Sequence, residues 1–69
     1  MKITYFKDTD TLLVNFNNNE IADTKDLNEN VLLEMDESGN VVSMTIEHAQ
    51  EHTEITNFSF NQVEKTDPV

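Results

Sequence analysis

The chain has 69 residues, no cysteine, and 14 acidic side chains against four lysines and no arginine, so its net charge at pH 7 is −10. A chain of this length makes one small domain over residues 1–69, with a marginal core, because it buries only about 60% of its unfolded surface. The absence of cysteine excludes a disulfide framework and a cysteine-based zinc site. The scarcity of basic residues argues against direct binding to nucleic acid or to an anionic membrane.

The first ten residues, MKITYFKDTD, contain no apolar run before their charges, so they do not resemble a signal peptide. No segment approaches the roughly 18 apolar residues of a membrane-spanning helix. We therefore expect a soluble, cytoplasmic protein with no membrane partner. The absence of cysteine agrees with a reducing compartment.

Short apolar segments separated by polar turns follow one another as far as residue 47. In KITYF, Ile3 and Tyr5 alternate with polar residues, and TLLVNF places Leu12, Val14 and Phe16 on one side, as half-buried strands do. An asparagine loop at 17–19 comes next, because asparagine tolerates the left-handed backbone of turns. The predicted strands lie at residues 2–6, 11–16, 20–27, 31–35 and 41–47. The predicted fold class is mainly β, with α+β as the alternative: a single antiparallel β-meander sheet of about five strands with a short C-terminal helical turn, an extra strand, or both.

The tail, residues 48–69, leaves two alternatives open. Its first residues, HAQEHT, could form a turn or two of helix. Phe58 and Phe60 alternate with polar residues within 56–64, which favours a final strand, and a helical tail is the alternative. The last residues, 65–69, are expected to fray.

The single glycine of the chain stands in the stretch Asp36-Glu37-Ser38-Gly39. Aspartate at the first position and glycine at the fourth match a type I turn, after which a left-handed glycine closes a three-residue hairpin loop. A helix–loop–helix calcium site needs about twelve loop residues with ligands at fixed spacing, and here an apolar strand occupies the later ligand positions. The stretch therefore predicts a β-hairpin rather than a calcium site.

The predicted hairpin places Met35 opposite Val41 and so decides which side chains share a face. Without a bulge, one face carries Val31, Leu33, Met35 and Val41, and the other carries Leu32, Val42, Met44 and Ile46. A sheet that is apolar on both faces must be covered on both faces. The tail can cover part of one face, and a second copy of the chain or a partner can cover the rest. We therefore predict a homodimer.

The segment His48-Ala-Gln-Glu-His52 fits the zinc-protease pattern H-x-x-E-H. On a helix, the two histidines would share a face and could bind zinc, with the glutamate as general base. That chemistry also needs a third ligand, a cleft and supporting hydrogen bonds, which so short a chain does not supply. We interpret the segment as solvated surface, with His48 and His52 as a weak metal-binding pair, and we expect no cofactor.

Other patterns that could indicate catalysis are weak. Carboxylate pairs such as Asp8/Asp10 and Glu51/Glu54 could in principle act as acid–base groups, but charge runs of this kind are usually solvated. The chain has no serine-nucleophile motif and no glycine-rich phosphate loop. We therefore predict that the protein is not an enzyme and has no catalytic residues.

Two stretches carry a resemblance to a known family. The chain opens with MKITY, and residues 30–50 read NVLLEMDESGNVVSMTIEHAQ. Both stretches resemble the small bacterial family called domain of unknown function 2283. The positions that fit its second pattern include Asp36, Gly39, Val42, Ile46 and Ala49. The resemblance covers about residues 1–50 and implies a small antiparallel meander domain.

Three positions depart from the family pattern: Asn30 and Ser43 replace usual glycines, and Gln50 replaces a usual serine. Asn30 still tolerates left-handed backbone, whereas Ser43 is expected to alter packing over the fifth strand. The resemblance supplies no catalytic residues, and it implies a partner among small RNase-like toxins.

Charge and resemblance together predict a non-enzymatic, antitoxin-like interaction protein that binds and neutralises a small basic protein through an acidic surface. The candidate partner-binding residues are Glu29, Glu34, Glu37, Glu47, Glu51 and Glu54. One alternative is a nucleic-acid-mimicking inhibitor of a nuclease or an anti-phage defence complex, which competition by DNA or RNA would distinguish. Another is a small metal-binding or self-assembling structural domain, which zinc titration of a variant without His48 and His52 would test.

Overall fold

The structure, a computed structural model, describes residues 1–63. Its elements are β1 (Lys2–Phe6), β2 (Thr11–Asn15), β3 (Asp23–Asn28), β4 (Val31–Met35), β5 (Val41–Glu47) and α1 (Ala49–His52). All five strands pair antiparallel in one open sheet. The predicted mainly β fold, with one antiparallel sheet and a short helical turn, is confirmed. Within this part of the chain, no helix has the length and apolar character needed to span a membrane.

The strands lie side by side in the order β1-β2-β5-β4-β3. β3, β4 and β5 form a meander, and the β1–β2 hairpin joins it through the pairing of β2 with β5. The chain therefore crosses three strand spacings, about 14 Å, between β2 and β3. Because residues 16–22 make this crossing, the third strand begins at Asp23 and ends at Asn28, not at 20 and 27 as predicted, and β2 ends at Asn15.

The β4–β5 turn is the predicted hairpin. The Gly39 N–H donates to the Asp36 carbonyl oxygen at 3.0 Å, and the Asp36 N–H donates to the Asn40 carbonyl oxygen at 2.9 Å. Gly39 has φ 87°, the left-handed conformation that closes a three-residue loop. The Asp36 carboxylate accepts the backbone N–H groups of Ser38 and Asn40, each at 2.9 Å. Its oxygens therefore stabilise the turn from within.

These hydrogen bonds make Asp36 a source of pH-dependent stability. The Asn40 backbone N–H, and next the Asn19 side-chain amide, hold the pKa of the Asp36 carboxyl below its ordinary value of 3.8. Because the folded-state pKa is the lower one, the stabilisation is complete well above pH 3.8 and is lost as the pH falls through the folded-state value.

We expect Asp36→Asn to be less stable than the wild type at neutral pH, and the difference to shrink as the pH falls below 3.8. Urea unfolding of both proteins at a series of pH values measures this difference, and the subtraction removes the effect of the other carboxyl groups. A difference that stayed constant down to the acid-unfolded state would contradict the role of the Asp36 carboxylate.

A β-bulge in β5 changes the alternation of its side chains. Met35 pairs with Val41, as predicted, but Glu34 pairs with Ser43, so Val42 is an extra residue. One extra residue moves every later side chain of β5 to the other face. The predicted division of the hairpin faces is therefore wrong for the rest of this strand.

The bulge gathers most apolar side chains on one face of the sheet. Met44 pairs with Leu33 and Ile46 pairs with Val31, so these residues share a face instead of opposing one another. We call this side the apolar face; it carries Ile3, Tyr5, Leu12, Val14, Val31, Leu33, Met35, Met44 and Ile46. The opposite face carries mainly polar side chains, so the hairpin is not equally apolar on both sides.

The apolar face is only partly covered. Among the described residues, the buried apolar side chains are Val14, Val42 and Ala49. The other members of the apolar face are half-buried or exposed. Such a face needs a second layer to exclude water, and the short helix α1 covers little of it.

The tail does not form the predicted strand in its described part. Residues 56–63 belong to no strand, and Phe58 and Phe60 are 65% and 72% exposed. Alternating apolar and polar residues form a strand when a neighbouring strand pairs with them and a covered face buries the apolar side chains. Residues 56–63 have neither a neighbouring strand nor a covered face. The strand predicted at 56–64 is therefore wrong for residues 56–63; its last residue and the predicted fraying at 65–69 lie outside the described residues.

Candidate partner-binding site

One end of the sheet brings together several segments that carry acidic side chains. Phe6 pairs with Thr11, and Thr11 pairs with Glu47, so the β1–β2 turn lies beside the end of β5. The Glu47 N–H donates to the Asn30 carbonyl oxygen at 2.8 Å, which places the β3–β4 turn there as well. We call the β1–β2 turn, the β3–β4 turn, the end of β5 and α1 the acidic end. Its exposed acids are Asp8, Glu29, Glu47 and Glu51.

The structure brings together some of the predicted contact residues and separates others. Those at or next to the acidic end are Glu29, Glu47, Glu51 and Glu54, the last of which follows α1 by two residues. Glu37 lies in the β4–β5 turn, at the opposite end of the sheet. Glu34 lies on the face opposite the apolar face, where its carboxylate accepts a hydrogen bond from the buried Ser43 hydroxyl at 2.8 Å. Glu34 therefore has a structural partner of its own.

Asp10 joins the β1–β2 turn to α1. Its Oδ1 accepts the Tyr5 hydroxyl at 2.7 Å and the Gln50 backbone N–H at 3.1 Å, and its carbonyl oxygen accepts the Ala49 N–H at 2.9 Å. Asp10 has φ 54°, a left-handed conformation that aspartate adopts more readily than most residues. The interpretation of Asp8 and Asp10 as a solvated pair fits the exposed Asp8 and is wrong for Asp10.

The Tyr5 hydroxyl is the donor in this arrangement. Its hydrogen bond to the Asp10 carboxylate raises the pKa of Tyr5, with smaller contributions from partial burial and from the negative charge of Asp10. Tyrosine ordinarily ionises near pH 10, so Tyr5 is protonated at neutral pH, and the raised pKa extends this protonated form to higher pH. Tyr5 and Asp10 therefore act as a fixed donor–acceptor pair that supports the acidic end.

The two histidines do not lie within one helix as the zinc-binding interpretation requires. His48 precedes α1 in a left-handed conformation with φ 55°, whereas His52 is the last residue of α1. Residues 1–63 contain no group of three or more histidine, cysteine, aspartate or glutamate side chains placed to hold a metal ion. The shared helical face that zinc binding of the H-x-x-E-H type needs is therefore not formed, because the helix begins only at Ala49.

His52 lines a groove of about 270 Å³ between the β3–β4 turn and α1. Its lining residues are Asn28, Glu29, Asn30, Val31, Ile46 and His52. The Asn28 side-chain oxygen accepts the Asn30 backbone N–H at 2.8 Å, which holds one wall of the groove in place. The groove depends on the pairing of Val31 with Ile46, which the bulge sets, so the sequence pattern alone could not predict it.

A protein-family model matches residues 2–50, from the start of β1 into α1. The family is described as "Protein of unknown function (DUF2283)". The chain belongs to this family. The resemblance carried by the opening MKITY and by residues 30–50 is thereby confirmed. No curated protein and no solved structure is detectably similar to the chain.

The DUF2283 segment contains the whole sheet and both partners of the Asp10–Gln50 hydrogen bond. Glu51, His52 and Glu54 follow it directly. The acidic end is therefore built on the family segment and extended by residues that lie just beyond it.

Proposed function

We propose that this DUF2283 protein is a non-enzymatic, antitoxin-like interaction protein that binds and neutralises a small basic protein in the cytoplasm. The observation that most supports the proposal is the position of Glu29, Glu47 and Glu51, which are exposed at one end of a chain with net charge −10. A surface of this kind attracts a basic partner over a distance and raises the association rate. An RNase-like toxin or another nuclease has the required basic surface.

Neutralisation by such a surface is occlusion of the partner's own site. Charge governs how fast the two proteins meet, whereas a few well-packed contacts supply most of the affinity. Val31 and Ile46, which are half-buried beside the acidic residues, provide apolar surface for such contacts. No step of this mechanism requires a catalytic residue.

The partly covered apolar face supports a homodimer as a second part of the proposal. Two copies that pack together the part of this face farther from the acidic end would give each sheet the second layer that it lacks and leave the groove beside Val31 and Ile46 open. That part of the face carries Ile3, Val14, Leu33, Met35 and Met44. The copies repel one another because each carries a net charge of −10, and salt screens this repulsion. We expect the dimer fraction to increase with salt at constant protein concentration, as measured by sedimentation velocity.

Adjacent residues of β5 provide a matched control for the dimer. Met44 lies on the apolar face, and Thr45 lies on the opposite face and pairs with Leu13 and Leu32. Met44→Lys should keep the protein monomeric at all salt concentrations, whereas Thr45→Lys, which adds the same charge, should still dimerise. Circular dichroism confirms that each variant is folded. A wild type that stayed monomeric in high salt would contradict the dimer.

Affinity capture of the tagged protein from its native host tests the proposed function. Nuclease treatment and a moderate-salt wash remove indirect binders, and mass spectrometry identifies what remains. Stoichiometric recovery of a small basic protein is the expected result. Recovery of a large nucleic-acid-binding complex, released by competing DNA, would favour a charge-mimicking inhibitor instead. Recovery of the bait alone would contradict partner neutralisation.

A further inference from the structure

The groove at the acidic end has the size of a site for one side chain. Its volume of about 270 Å³ lies below the roughly 300–1,000 Å³ of pockets that bind small molecules or cofactors. It is also partly open to solvent. A protruding side chain of a partner protein could enter it without any movement of the sheet.

The lining of the groove combines apolar, acidic and amide groups. Val31 and Ile46 are half-buried members of the apolar face and give the groove an apolar part, while Glu29 contributes a carboxylate. Asn28 and Asn30 add amide oxygens, and no lysine is among the lining residues. A long side chain with an aliphatic stem and a cationic head complements these groups.

A guanidinium matches the lining better than an ammonium. It is planar and weakly hydrated, so it can lie against apolar surface, and it can stack on a ring such as the His52 imidazole. Its five N–H donors can reach a carboxylate and amide oxygens at the same time. An ammonium is a compact, strongly hydrated charge and loses more hydration in such a groove.

We propose that the groove formed by the β3–β4 turn, Val31, Ile46 and His52 binds an arginine side chain of the basic partner, with Glu29 pairing with the guanidinium. This inference rests on the proposed function and specifies the anchor contact of that same surface. The β3–β4 turn is held by the Asn28–Asn30 hydrogen bond at 2.8 Å and by the bond from the Glu47 N–H to the Asn30 carbonyl oxygen at 2.8 Å. The walls are therefore formed before the partner arrives, which limits the entropy lost on binding.

An NMR titration of the full chain with N-acetyl-arginine amide tests the inference. The expected result is saturable shifts of the backbone amides of Asn30, Val31, Ile46 and His52, with a dissociation constant in the millimolar range. N-acetyl-citrulline amide, which has nearly the same shape without the charge, should cause no saturable shift. N-acetyl-lysine amide should bind severalfold more weakly than the arginine compound.

Two glutamate variants test whether the arginine compound binds at Glu29. Glu29→Gln should weaken arginine binding about tenfold, because a charge-assisted hydrogen bond is lost. Glu37→Gln changes the net charge equally at the opposite end of the sheet and should leave binding unchanged. The NMR spectra themselves show that both variants are folded. Equal weakening in the two variants, equal shifts at the β4–β5 turn, or equal binding of citrulline would overturn the inference.

Failure of this inference and failure of the proposed function give different results. Suppose that a basic protein is captured, but the amide shifts caused by the arginine compound are spread over the surface and do not saturate. The groove would then not be the anchor site, and the proposed function would still stand. Suppose instead that the arginine compound binds saturably in the groove, but no basic protein is captured. This result would support the arginine site and contradict the proposed function.

Discussion

Asp10→Ala should lower the free energy of unfolding by about 3 kcal/mol. The substitution removes the carboxylate that accepts the part-buried Tyr5 hydroxyl and the exposed Gln50 N–H. A hydrogen bond to a charged group contributes roughly 1.5–3 kcal/mol, and it contributes less at an exposed site, where water competes for both groups. It also leaves alanine in a left-handed conformation, at φ 54°. A domain of this size has a total stability of only about 3–10 kcal/mol, so urea unfolding should show a large change.

Two further substitutions distinguish the loss of the Asp10 hydrogen bonds from the general effect of removing a negative charge. Asp10→Asn keeps an acceptor oxygen and tolerates left-handed backbone, so it should cost about 1 kcal/mol. Asp8→Ala removes an exposed carboxylate two residues earlier and should change stability by no more than about 0.5 kcal/mol. Equal destabilisation by Asp8→Ala and Asp10→Ala would show that Asp10 does not join the turn to α1.

Val42→Ala should lower the free energy of unfolding by about 2 kcal/mol. Val42 is the extra residue of the bulge and is 3% exposed, so the substitution removes buried methyl groups and leaves a cavity. Urea unfolding at one fixed protein concentration measures the change, because dimer formation would make stability depend on concentration.

Val41 provides a control of the same residue type in the same bulge. It is 37% exposed, so Val41→Ala removes fewer buried contacts and should cost less than about 1 kcal/mol. If the two substitutions had equal effects, or if Val41→Ala had the larger one, the bulge would not orient these side chains as described.

The β4–β5 hairpin could be predicted because its turn chemistry is local. Asp36 supplies side-chain and backbone acceptors, and Gly39 supplies the left-handed residue, so four consecutive residues determine the loop. The strands β1, β4 and β5 have the predicted bounds for a similar reason, since apolar segments and polar turns alternate there.

Features that depend on distant pairing could not be predicted in this way. The bulge at Val42 follows from the pairing of Glu34 with Ser43, and no residue type in VVSMTIE marks the extra position. The late start of β3 follows from the crossing between β2 and β3, which depends on the strand order of the whole sheet. Local alternation contains neither kind of information.

In the candidate site, too, some features follow from the local sequence and others from the pairing of distant strands. The excess of acidic residues is visible in the composition, but which of them meet is decided by strand register, which places Glu47 beside Thr11 and separates Glu37 from them. The structural role of Asp10 was missed because its acceptor contacts reach Gln50, which is 40 positions away in the chain. Asp10 ends the short turn between β1 and β2, and an aspartate there, a residue type that tolerates left-handed backbone, is the local sequence feature that could have indicated it.

The central claim, that the acidic end binds the basic partner, is tested most directly by affinity capture with three baits in parallel. These are the wild type, Glu47→Gln/Glu51→Gln at the acidic end, and Glu20→Gln/Glu37→Gln at the opposite end. Glu20 lies at that end because the neighbouring Asn19 side chain donates a hydrogen bond to Asp36 of the β4–β5 turn. Each double variant loses two acids, so the net charge changes from −10 to −8 in both. We predict that the wild type and the opposite-end variant recover the same small basic protein, and that the acidic-end variant recovers about tenfold less. Equal recovery by the two double variants would contradict the claim.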